Sequence, residues 1–219
     1  MTMYRFPLLA AAVLLMSVGV FAQANSSSGN SPKAAAPGRE DRHEGLSIVA
    51  DPYTEMPRAK EKFGKANPLE VGILPIEVFI RNESTEPIRI DLDTVQLEVR
   101  LRNGRRQDIE WLTAGEVARA IAHPGGARTP QQRRIPVPVP LPSKDKNVLK
   151  LMDILKSLTL DADVIAPKGA VHGFLYFDVN HEVSVVENSS LYVPDVMVLP
   201  TNKVLMFFDV PLGGGATQQ

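Results

Sequence analysis

The chain has 219 residues, 24 basic and 25 acidic side chains, and no cysteine. That length allows one large domain, or one domain with an unstructured flank. The missing cysteine excludes disulfides, thiolate zinc sites, iron–sulfur clusters and a cysteine nucleophile. A net charge of −1 argues against a dedicated nucleic-acid binder, which needs a basic excess.

Residues 1–24 read as a secretory signal peptide. Arg5 is the basic n-region, Phe6 to Phe21 is the apolar run, and Ala22-Gln23-Ala24 is the cleavage site. No later stretch is long and apolar enough to span a membrane. Residues 25–45 are small, polar, proline-broken and then charged. They lack apolar periodicity, so they are expected to be a disordered linker. Residues 213–219 resemble them and make a flexible tail. The folded domain is placed at 46–212.

The body opens with a short strand candidate, Leu46 to Ala50. A short helix follows from Met56 and ends at Gly64. In the next strand Ile76, Val78 and Ile80 share one face. Ile88, Ile90 and Leu92 then alternate on even numbers, whereas Val95, Leu97, Val99 and Leu101 alternate on odd ones. Reversed phase reverses the buried face, which predicts a bulge or turn near Asp93-Thr94. Asn103-Gly104 is a tight-turn signal. Further strands are expected at 163–167, 171–179, 183–186 and 191–199, with a last one at 203–210.

Between Trp111 and Leu160 the period becomes helical. Thr113 and Glu116 have capping-box spacing. Val148, Leu151, Met152 and Leu155 form an apolar stripe at i, i+3, i+4, i+7. This insertion, 111–160, is expected to cap one end of the strands. The sum is a mainly β fold: an antiparallel, immunoglobulin-like sandwich of about seven to eight strands with a helical insertion.

Chemistry-bearing patterns are sparse. There is no Gly-x-Ser-x-Gly elbow and no Gly-rich phosphate loop. His43, His123, His172 and His181 make no metal-binding pair by spacing. Asp91 with Asp93, and Asp161 with Asp163, would share a direction on a strand and read as solvated strand ends. No catalytic residue, metal site or cofactor is expected. The alternating prolines Pro136, Pro138, Pro140 and Pro142 stiffen an extended segment, with Arg128, Arg133 and Arg134 beside it. They are the candidate partner-binding residues, set against a plain spacer. Trp111 is expected to pin the first helix to the sheet. Tyr53, Tyr176 and Tyr192 are the other aromatics that a groove would use. The N-x-S triplets at Asn25, Asn82 and Asn188 are expected to carry no glycan.

Two segments carry a resemblance. Gly72-Ile-Leu-Pro-Ile-Glu-Val-Phe-Ile-Arg-Asn-Glu-Ser-Thr-Glu-Pro-Ile-Arg-Ile resembles the start of exported immunoglobulin-like domains of bacterial envelopes. Ala166-Pro-Lys-Gly-Ala-Val-His-Gly-Phe-Leu-Tyr-Phe-Asp-Val is similar to a strand of the same domains. The resemblance implies a sandwich with a binding or assembly role and brings no catalytic residue.

The expected protein is therefore a periplasmic or secreted, non-enzymatic module of the cell envelope. It would contact an envelope protein through an exposed sheet edge or the segment 128–142, without nucleic acid and without a membrane span once the signal is cleaved. Two rivals predict different shapes. A hydrolase of envelope polymer needs a concave pocket holding two carboxylates. A carrier of a small apolar ligand needs a cavity between the sheets.

Overall fold

The computed structural model describes residues 39–124 and 145–213. The expected signal peptide, most of the linker, the candidate residues Arg128, Arg133, Arg134, Pro136, Pro138, Pro140 and Pro142, and nearly all of the tail lie outside them.

The chain begins with a hairpin, β1 (Glu40–His43) and β2 (Leu46–Pro52), followed by helix α1 (Met56–Phe63). β3 (Ile73–Asn82) and β4 (Ile88–Ile90) come next, then β5 (Gln96–Arg100) and β6 (Arg106–Leu112). Helices α2 (Ala114–Ala122) and α3 (Lys146–Leu158) precede β7 (Val164–Ile165) and β8 (Ala170–Asp178). β9 (Ser189–Val193), β10 (Val196–Val198), β11 (Lys203–Val204) and β12 (Phe208–Pro211) complete the order.

Every strand pairing within the two sheets is antiparallel. Eight strands form one sheet in the order β1-β2-β3-β8-β6-β5-β9-β12, and β11-β10-β4-β7 form a second. The large sheet curls until its two ends nearly meet. There Asp209 N–H donates to Asp41 Oδ2 at 2.9 Å, and the His43 ring stacks on Phe208 at 3.8 Å. The mainly β, antiparallel expectation holds, but the strands number twelve among the described residues rather than seven or eight.

Alternate residues of β3 and β8 enter different cores. Leu74, Ile76, Leu175 and Phe177 join the aliphatic core that also takes Ile88, Ile90, Val196 and Val198 from the small sheet. Ile73, Phe174 and Tyr176 point the other way, into a core with Phe63, Val117, Leu151 and Leu155 from the three helices. Burial on both faces fits the bulky residues at both phases of β8, Phe174, Leu175, Tyr176 and Phe177. The helices therefore cover a face of β3 and β8; they do not cap an end.

The helix starts follow the local chemistry. Thr113 and Glu116 form the capping box: Thr113 N–H donates to Glu116 Oε2 at 2.7 Å, and Glu116 N–H to Thr113 Oγ1 at 3.3 Å. Asp145 Oδ1 accepts from Asn147 N–H and starts α3. The phase reversal is a change of sheet. A 3-10 turn, Leu92–Thr94, carries the chain from β4 in the small sheet to β5 in the large one.

Five boundaries differ from the sequence reading. The expected strand 191–199 divides into β9 of the large sheet and β10 of the small one. Residues 40–43, placed in the linker, form β1, because edge strands need pairing more than apolar residues. Residues 183–186 belong to a 3-10 helix, not a strand. The final strand divides into β11 and β12, with Met206 and Phe207 exposed between them. β6, where no strand was expected and whose Trp111 and Leu112 fall in the expected helical insertion, pairs with both β5 and β8.

A polar group is held inside the helical core. The Tyr53 hydroxyl donates to Glu77 Oε2 at 2.8 Å, with Lys62 Nζ 3.7 Å from Oε1. Burial first, then Glu77, pushes the Tyr53 phenol up to about 12, and burial drives the Tyr176 phenol up as well. Both phenols bind their protons more tightly folded than unfolded. Stability is therefore expected to stay flat below the ordinary tyrosine value of about 10 and to fall as pH rises through about 12. Urea midpoints measured across that range check the sign; a midpoint unchanged to the top of it would contradict the assignment.

Candidate functional site

A cavity of about 560 Å³ opens where the two sheets and the end of α3 meet. Its walls hold Arg89, Asp91, Asp93, Trp111, Thr159, Asp161, Asp163 and Met197, over Ile90, Leu92 and Leu160. Four aspartates and one arginine thus line a single opening.

Each wall has a local cause. Asp91 follows β4 and caps the 3-10 turn, its Oδ1 accepting from Asp93 N–H at 3.1 Å. The Asp91 N–H donates to the Asp195 carbonyl at 3.0 Å, and Ile90 N–H to the Asp163 carbonyl at 2.8 Å. The Ile90 bond ties the first aspartate pair to the segment carrying the second, and the Asp91 bond ties it to the segment between β9 and β10. Trp111, at the end of β6, donates its indole N–H to the Leu92 carbonyl at 2.7 Å. It therefore fastens the turn between the sheets and forms a wall of the cavity, in place of the expected anchoring of the first helix.

The strip Thr159-Leu160 reaches the cavity by crossing β8. Leu160 N–H donates to the Phe174 carbonyl at 3.1 Å. A Cβ on Gly173 would lie 2.5 Å from Leu160 Cα, so only glycine allows this crossing. Asp161 and Asp163 follow directly.

The sequence reading singled out both aspartate pairs, but as separate strand ends. The fold places neither pair in a strand and brings all four together. All four are solvent-exposed. Among the described residues, no group of three or more His, Asp or Glu side chains is arranged to hold a metal ion. Arg89 and Met197 carried no signal in the sequence: they arrive from β4 and β10, which pair with each other. Of the aromatics, Tyr53 and Tyr176 are buried in the helical core. Tyr192 lies with Arg106 and Phe207 on another part of the surface. Among the described residues no helix is long and apolar enough to cross a membrane.

Comparison with protein families, curated proteins and solved structures finds no match to this chain.

Proposed function

We propose that this protein is an exported, non-enzymatic binding module of a bacterial cell envelope, and that the acidic cavity takes a cationic segment of a partner protein. The observation that carries the reading is the convergence of Asp91, Asp93, Asp161 and Asp163 beside Trp111 in one open cavity. A lysine or arginine side chain entering it meets carboxylates, and an indole ring nearby favours a cation further. Export rests on Arg5, the apolar run after it and Ala22-Gln23-Ala24. The immunoglobulin-like resemblance is part of the proposal. Two antiparallel sheets sharing an aliphatic core support it, and the curled eight-stranded sheet departs from a plain sandwich.

The hydrolase reading finds its concave carboxylate pocket here. It also needs one carboxyl desolvated enough to keep its proton, and the four aspartates are exposed. The carrier reading needs open space between the sheets, where the aliphatic core sits.

Titration calorimetry with a lysine- and arginine-rich peptide tests the proposal, with an acidic peptide as control. Binding of the basic peptide alone is expected. The double variant Asp91→Asn, Asp163→Asn should weaken it about fivefold at low salt, the order of magnitude of two exposed ion pairs. Equal binding of both peptides, or a variant that binds as tightly as the natural chain, would sink it. Turnover of envelope polymer abolished by a single Asp→Asn change would establish the hydrolase instead.

A further inference from the structure

The β5–β6 hairpin carries four arginines within seven residues: Arg100, Arg102, Arg105 and Arg106. Its turn is closed by Leu101 N–H to the Arg105 carbonyl at 2.8 Å and Gly104 N–H to the Leu101 carbonyl at 2.9 Å. Gly104 has φ +78, and Asn103 Oδ1 accepts from Arg105 N–H. This is a tight, internally bonded tip in a left-handed turn that glycine makes without strain.

The four guanidinium groups are not equivalent. Arg106 is paired with Glu98 and lies 3.7 Å from Asp108. Arg100, Arg102 and Arg105 are exposed and, among the described residues, their side chains make no hydrogen bond or ion pair. Leu101, between two of them, is 38% exposed. In a chain of net charge −1, three uncompensated positive charges on one turn are a local feature, without support from a general basic excess.

We propose that this hairpin tip docks on an anionic lipid surface. Three free arginines meet headgroup phosphates, and their apolar stems can lie along the interface. Leu101 supplies the apolar residue that enters the acyl boundary. No aromatic side chain lies between Arg100 and Arg106 in the sequence, and the Tyr192 ring beside Arg106 lies 5.6 Å from that guanidinium, which is already paired with Glu98. The acidic cavity begins at the opposite end of the same ribbon, where Asp93 precedes β5 and Trp111 ends β6. Five residues of strand separate the ends by about 17 Å. A tip resting on lipid would therefore hold the cavity away from the surface. The inference does not depend on what the cavity binds.

Flotation with liposomes tests it, using the chain from Asn25 onward. Vesicles of phosphatidylcholine with a quarter phosphatidylglycerol should capture the protein, and pure phosphatidylcholine should not. The variant Arg100→Gln, Arg102→Gln, Arg105→Gln should lower partitioning on the order of 100-fold, given the usual contribution of each basic residue near an anionic surface. Leu101→Ser should weaken capture while leaving its salt dependence unchanged. All four positions are exposed, so circular dichroism should show these variants folded. Capture that is equal on neutral vesicles, or that survives the triple variant, overturns the proposal. Tighter binding to soluble polyphosphate than to the vesicles overturns the lipid assignment.

Discussion

Replacing Asn82 by aspartate is expected to destabilise the fold by about 3–4 kcal/mol although the side chain keeps its size. Asn82 is fully buried. Its amide nitrogen donates to the carbonyls of Glu86 at 2.7 Å, and of Ile165 and Ala166 at 3.2 Å each. Its Oδ1 accepts from Ser84 N–H at 2.9 Å and from the Ser84 hydroxyl at 2.7 Å. One side chain thereby joins the end of β3, the loop before β4 and the exit of β7. Aspartate would set an acceptor against three carbonyl oxygens and place a charge in a fully buried site. Urea unfolding measures the difference, with Ser84→Ala as a milder reference that removes one partner. A loss below about 1 kcal/mol would show that water takes over these bonds. The same burial closes the N-x-S triplet at this position. In the folded protein the Asn82 amide has no room for a glycan.

Phe174→Ala is expected to cost about 3–5 kcal/mol. The ring is 1% exposed and meets Tyr53 edge-on at 5.0 Å and Phe63 at 4.9 Å. Lys62 Nζ sits 5.3 Å from its centre. β8 is the sole source of Phe174 and Tyr176, the residues through which it holds the helical layer. Truncation should loosen the helices before it opens the sheets. Hydrogen exchange should therefore show α1 and α3 losing protection while β2 and β3 keep theirs. Uniform loss across both layers would mean that they unfold as one unit. Phe174→Leu, which retains most of the volume, should cost much less.

Features decided within a few residues were legible before any fold was known. The capping box at Thr113, the stripe of α3 and the alternation of β5 each depend on neighbours along the chain. The phase reversal at Asp93-Thr94 was also visible, though not its meaning, a passage from one sheet to the other. β6 left a signal that could have been read. A tight turn at Asn103-Gly104 calls for a returning strand, and Ile109 and Trp111 alternate after it. β1 left almost none, since its four residues are charged or half-exposed and are held by backbone pairing.

By itself, then, the sequence determined periodicity, caps and turns, and from these a mainly antiparallel β protein with a helical insertion. Those properties arise from dihedral preference and from the faces that apolar residues share. Tertiary structure alone decided the rest. Two aspartate pairs about seventy residues apart came to line one cavity, their segments pinned together by the backbone bond from Ile90 N–H to the Asp163 carbonyl. Asn82 became a junction because β7 delivers two carbonyls to it. Contacts of that kind are set by which strands pair, and strand pairing depends on how the whole core closes, which local spacing does not encode.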